Sequence, residues 1–128
     1  MSWKSSYFKL PHKYKAERVK HAGFSFASQG EAGLHAYLKL LQQAGEILEI
    51  QVQPQVELTR ARIICKPDFK LTMPDGSTRY AEFKGFETDV WRIKRKLWMF
   101  YGPAELDVYK GSGVRCRLVE TLVPDVVK

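Results

Sequence analysis

Apolar residues recur at every third or fourth position between residues 28 and 44. Leu34, Tyr37, Leu38 and Leu41 form one stripe of a helix that opens at Ser28, runs to about Ala44 and is stopped by Gly45. The period then drops to two. EILEIQVQPQVEL, residues 46–58, alternates as a strand up to Pro54 and resumes as an extended segment beyond it. RIICKPDFKLTM (62–73) and STRYAEFKGF (77–86) read as the two strands of a hairpin. Helical periodicity returns in TDVWRIKRKLWMFYG (88–102), with Thr88 as N-cap, a stripe of Val90, Ile93, Leu97 and Tyr101, and Gly102-Pro103 as its end. AELDVYK (104–110) and VRCRLVETLV (114–123) complete the chain as two strands around Gly111-Ser112-Gly113. The order helix, three strands, helix, strand, strand predicts an α/β fold with a mixed sheet.

The hairpin carries the candidate chemistry. Pro74-Asp75-Gly76 suits a three-residue loop, with proline pre-set in a type I turn and glycine in the left-handed position. Met73 then pairs with Ser77, and counting outward sets Asp68 opposite Glu82, with Cβ atoms about 4.5 to 5.5 Å apart on one sheet face. Lys84 shares that face, whereas Ala81, Phe83 and Gly85 point to the other. Two opposed carboxylates repel, so the arrangement calls for positive charge between them. Mg²⁺ takes such oxygen ligands together with phosphate oxygens. Lys84 could then orient a water and shield charge at phosphorus. Two alternatives stand beside this one: an ordinary exposed hairpin whose charges pair with one another, and a four-residue loop that would turn Asp68 to the opposite face.

Charge sharpens the choice of partner. Twenty-one Lys and Arg against fourteen Asp and Glu give a net charge of +7, which points to a polyanion, either nucleic acid or an anionic membrane surface. No stretch approaches the roughly 20 apolar residues of a membrane span, and the N-terminus lacks the apolar core of a signal peptide, so an intracellular, cytoplasmic protein is expected. The first 24 residues form a basic arm in which Lys13, Lys15 and four other cations alternate with Trp3, Tyr7, Phe8 and Tyr14. It can be read as a solvated terminus or as a nucleic-acid-tracking segment. Residues 25–128 are then one domain. Cys65 and Cys116 are too few and too far from histidine for a zinc site, and both read as reduced packing residues.

Two polar residues fall on apolar helix faces. Glu31 lies one turn before Leu34, where it serves either as the N3 partner of Ser28 in a capping box or as a third carboxylate at the hairpin site. Lys94 lies within the second helix's stripe, where its stem could snorkel to solvent. Arg92, Arg95 and Lys96 face outward there, as a solvated surface or a phosphate-binding one.

Pro67-Asp68 followed by Glu82-Phe83-Lys84 resembles the signature of the PD-(D/E)xK nuclease superfamily, whose restriction-endonuclease-like core runs helix-strand-strand-strand-helix-strand with an acidic residue on the first helix. Over about Lys13 to Lys110, including AEFKGFET and RIKRKL, the chain is similar to a phage-borne family of small endonucleases related in plan to phage endonuclease I, a Holliday junction resolvase. The resemblance implies Glu31, Asp68, Glu82 and the backbone carbonyl of Phe83 as ligands of Mg²⁺, with Mn²⁺ able to substitute, and Lys84 as catalytic lysine. It also implies Gln53 and Lys94 near the substrate phosphate. A metal-dependent endonuclease acting on duplex or branched DNA is therefore expected, as a homodimer where both strands of a junction are cut. A phage or prophage origin fits. The alternative from a different class is a non-catalytic nucleic-acid-binding protein on a degenerate nuclease fold.

Overall fold

The computed structural model of the chain describes residues 19–21, 23–26, 28–111 and 115–127. Lys13 and Lys15, with most of the basic arm, lie outside the described residues. Two short strands, β1 (Val19–His21) and β2 (Phe24–Phe26), form an antiparallel hairpin ahead of helix α1 (Gln29–Gln43). Next come β3 (Glu49–Val52), β4 (Val56–Glu57), β5 (Ile64–Cys65), β6 (Phe69–Thr72) and β7 (Thr78–Phe83). Helix α2 (Asp89–Tyr101), β8 (Leu106–Lys110), β9 (Arg117–Leu122) and a 3-10 turn at Asp125–Val127 complete the order. Among the described residues the central sheet has five strands in the order β3-β6-β7-β8-β9. It is mixed: β7 and β8 are parallel, as the crossover through α2 requires, and the other neighbours are antiparallel.

Both ends predicted for the helices are made by the residues named for them. Ser28 Oγ accepts from the amide of Glu31 at 3.2 Å, and Thr88 Oγ1 accepts from that of Trp91 at 3.0 Å. Gly45 has φ +83, and the amides of Ala44 and Gly45 close the last turn of α1 onto Leu40 and Gln42.

The two helices cover opposite faces of the sheet, so the central strand β7 buries Tyr80, Ala81 and Glu82 in succession instead of alternating. On the α1 face, Leu34 and Leu38 pack with Phe69, Leu71 and Ala81. Phe26 of β2 joins this layer, where the buried His35 ring stacks on Phe69 at 5.6 Å. The boundary drawn at residue 24 therefore falls inside a hairpin that packs on α1. On the α2 face, Trp91 and Trp98 lie over Tyr80, Leu106, Val108 and Leu122, with Val56, Leu58 and Cys65 closing the side. Trp98 Nε1 donates to the carbonyl of Ala104 at 2.9 Å, and its ring meets Tyr80 edge-on at 5.1 Å.

Two sequence expectations are corrected. The first strand ends before Pro54 and an extended segment follows, as predicted, but RIICKPDFKLTM (62–73) is not one strand of the hairpin: it is divided into β5 and β6. The chain turns at Gln53, whose φ is 51, and β4 pairs with β5 in a separate ladder. Proline at 54 supplies no amide and favours the break. Helix α2 is also rotated from its predicted phase: Ile93 is 60% and Tyr101 55% exposed, while Trp91 and Trp98, seven residues apart, are buried. The two indoles offer the larger apolar area, and the sheet takes them.

Burial raises the pKa of the Tyr80 and Tyr109 hydroxyls above the ordinary value. At Tyr109 the negative charge of Asp107 adds to it. The folded chain thus holds these protons at pH values where the unfolded chain releases them, so their contribution is full below about pH 10 and is lost as pH rises from there through the folded-state values. Urea unfolding at increasing pH should show stability falling beyond about pH 10, with a shallower fall in Tyr109→Phe. An identical alkaline slope in that variant would remove Tyr109 as the cause.

Candidate active site

The β6–β7 turn has the predicted geometry. Met73 N donates to Ser77 O at 2.8 Å, Gly76 N donates to Met73 O at 2.9 Å, and Gly76 has φ +89, which glycine adopts without a Cβ clash. Asp75 Oδ1 accepts from the Ser77 hydroxyl and amide at 2.6 and 2.9 Å, which lowers the Asp75 pKa and fixes the turn. The four-residue loop is thereby excluded. The register runs from Thr72↔Thr78 to Phe69↔Ala81, and its next step sets Asp68 opposite Glu82.

Both carboxylates are buried, Asp68 at 1% and Glu82 at 0% exposure. Each is held by the main chain of the opposite strand: Asp68 N donates to Glu82 Oε1 at 2.9 Å, and Phe83 N donates to Asp68 Oδ2 at 2.7 Å. Charge-assisted bonds of this kind offset part of the repulsion between like charges. Lys84 offsets more, with Nζ 3.1 Å from Glu82 Oε2 and 4.4 Å from the centre of the Trp91 ring. Its side chain is only 12% exposed, so the ammonium is held between a carboxylate and an indole. Some of the positive charge that the sequence calls for is therefore supplied by the fold itself.

Glu31 is buried in the first turn of α1. A Cβ at its neighbour Gly30 would lie 2.0 Å from Phe83 Cζ, so glycine lets this turn settle directly on the residue between Glu82 and Lys84. The structure thus brings the helix that carries Glu31 to the end of β7. Among the described residues, however, no group of three or more His, Cys, Asp or Glu is arranged to hold a metal ion. Asp68 and Glu82 form the close carboxylate pair.

Gln53 is exposed, and its amide donates to the carbonyl of Asp68 at 2.7 Å, so a non-glycine residue in the left-handed region borders the pair. Lys94 does not snorkel. Its Nζ donates to the carbonyl of Ile64 at 2.9 Å, tying α2 to the strand that leads into Asp68, and burial lowers its pKa. Arg92 pairs with Asp89 across an exposed turn, and Arg95 pairs with Glu120 of β9 through its Nε at 3.1 Å. Lys96 is exposed. The partners of Arg92 and Arg95 are thus acidic surface residues, not the hairpin carboxylates.

Two features escape the sequence. Trp91 covers Lys84 because α2 is rotated from its predicted phase. Asp107, buried in β8, accepts a two-pronged pair from Arg79 at 2.9 and 2.7 Å and a bond from Thr121 at 2.7 Å, with Glu105 also on Arg79. This network staples β7, β8 and β9, and the bond to Asp107 raises the Arg79 pKa. A parallel pairing set by a helical crossover leaves no local signature from which to find it.

No described helix is long and apolar enough to cross a membrane. No curated protein matches the sequence. The family described as "Protein of unknown function (DUF1064)" matches residues 11–110, most of the chain, and the protein belongs to that family.

Proposed function

We propose that the protein is a metal-dependent endonuclease that hydrolyses phosphodiester bonds of DNA, with branched or otherwise structured DNA as its substrate. The observation that carries this reading is the face-to-face burial of Asp68 and Glu82, with the Lys84 ammonium alongside. Buried carboxylates are commonly neutralised by structural cations, yet here the strand end adds a second acid where a single Glu–Lys pair would suffice. The order α1, β3, β6, β7, α2, β8, with the β4–β5 ladder set between β3 and β6, supports a restriction-endonuclease-like core.

The donor set fits a hard divalent ion, since both acids present oxygen alone. Asp68 and Glu82 would hold Mg²⁺ or Mn²⁺, with the Phe83 carbonyl and Glu31 as further ligands. When bound, the ion supplies Lewis-acid polarisation of a phosphate oxygen. The chain's own residues do the rest. The amides of Asp68 and Phe83 keep the carboxylates in place. Lys84, fixed by Glu82 and Trp91, orients the attacking water and offsets charge developing at phosphorus. Water adds to phosphorus as the bond to the 3′ oxygen breaks, leaving 5′-phosphate and 3′-hydroxyl ends. Gln53 borders the site as a phosphate contact, and Arg92, Arg95, Lys96, Lys13 and Lys15 add charge for DNA. Cutting both strands of a junction takes two such sites, so the reading includes a homodimer in an intracellular, phage- or prophage-borne setting.

Incubating supercoiled plasmid and a four-way junction with the protein tests this directly. Nicking is expected with Mg²⁺ or Mn²⁺ and none in EDTA; DNA binding without nicking under either ion would favour the non-catalytic alternative. Calorimetry adds a readout independent of turnover. Mn²⁺ should bind the wild type, and Glu82→Gln should weaken that binding at least tenfold. Equal Mn²⁺ binding by the two proteins would remove Glu82 from the ion's ligands.

A further inference from the structure

The pairing around β8 sets three cations side by side. Glu82 pairs with Val108, and Val108 with Glu120. Two residues further along, on the same face, lie Lys84 and Lys110, and across a bulge in the β8–β9 pairing Lys110 is matched with Arg117. The amide of Lys84 donates to the carbonyl of Tyr109 at 2.9 Å, which fixes its place beside Lys110. With neighbouring strands about 4.8 Å apart, the row spans about 10 Å from the carboxylate pair to the edge of the sheet.

Compensation weakens along this row. Lys84 is held by a buried carboxylate. Lys110 has Glu87 at 3.5 Å, but with side chains 38% and 43% exposed that pair contributes little. Arg117 is exposed and makes no ion pair among the described residues. Like charges on adjacent strands repel, and the weakly compensated Lys110 and the exposed Arg117 leave positive charge that a polyanion lying along the row would neutralise. A DNA strand, with a charge about every 3.4 Å of axis, carries about three phosphates over this length, and a guanidinium at the far end suits a phosphate's paired oxygens.

We propose that Lys110 and Arg117 form a phosphate track that carries one DNA strand from the carboxylate pair to the β9 edge. This rests on the endonuclease reading for its substrate, and it names contacts beyond the hairpin; Arg117 lies outside the family match. Fluorescence anisotropy of a labelled duplex oligonucleotide in EDTA, titrated across salt concentrations, tests it with Lys110→Ala, Arg117→Ala, their double variant and Arg62→Ala. Each track substitution should make the slope of log K against log salt shallower by about 0.9, and the double variant by about 1.8. Arg62, whose partner is Glu57 on the β4–β5 ladder, should leave the slope unchanged. All the altered side chains are at the surface, so the thermal midpoints should agree. If the double variant keeps the wild-type slope, the track is wrong, while nicking by the wild type would leave the hairpin site standing. If the wild type binds no DNA, both are wrong.

Discussion

Asp68→Asn should lower Mg²⁺-dependent nicking by at least about 10²–10³-fold, the loss typical of removing one electrostatic group from a preorganised site. The substitution is nearly isosteric. The asparagine oxygen can still accept from the Phe83 amide, the contact Asp68 makes at 2.7 Å, so the turn and register should survive. Charge is the quantity removed. DNA affinity should hold or increase, because one anion next to a polyanion is gone. Lys84→Ala should lose activity to a similar extent for another reason, and its fold needs checking: Glu82 is fully buried, and breaking such a pair costs about 3–5 kcal/mol. A denaturant titration beside the nicking assay separates the two effects. Equal nicking by the wild type, Asp68→Asn and Lys84→Ala would exclude this site.

Trp98→Ala should destabilise the chain by about 3–5 kcal/mol, the range for removing a large buried aromatic. Trp98 is 0% exposed; truncation also discards its bond to Ala104 and its edge contact with Tyr80. Against a typical total of about 5–15 kcal/mol this is a large fraction, and a clear fall in thermal midpoint should follow. Ile93→Ala is the informative companion. At 60% exposure it should change stability by no more than about 0.5 kcal/mol. The phase predicted from sequence, with Ile93 inside, requires a much larger effect at Ile93. Comparable losses in the two variants would restore that phase.

How far the sequence led depended on how local the determining physics was. The β6–β7 turn is a short-range object: proline, aspartate and glycine each satisfy a backbone requirement within three residues, so the loop length, the register and the opposition of Asp68 to Glu82 could be read directly. Ser28 and Thr88 were legible for the same reason. The phase of α2 was not, because a stripe of Val90, Ile93, Leu97 and Tyr101 competes with one through Trp91 and Trp98, and the sheet beneath chooses between them. The amides that share Asp68 and Glu82 were also hidden, since alternation predicts which face a side chain takes but not which main-chain donor it meets. Gln53 carried no warning of a left-handed backbone.

Among the described residues, strand β9 forms one border of the sheet, with Leu118 at 51% and Val119 at 43% exposure. An uninterrupted border of that kind invites another chain to add on, which is the first step toward fibres. The irregularity opposite Val108 and Tyr109 breaks the hydrogen-bonding template, while Arg117 and Glu120 on either side place charge against any incoming strand. A concentrated solution of the protein is thereby guarded against edge-to-edge assembly by the same segment that carries Arg117.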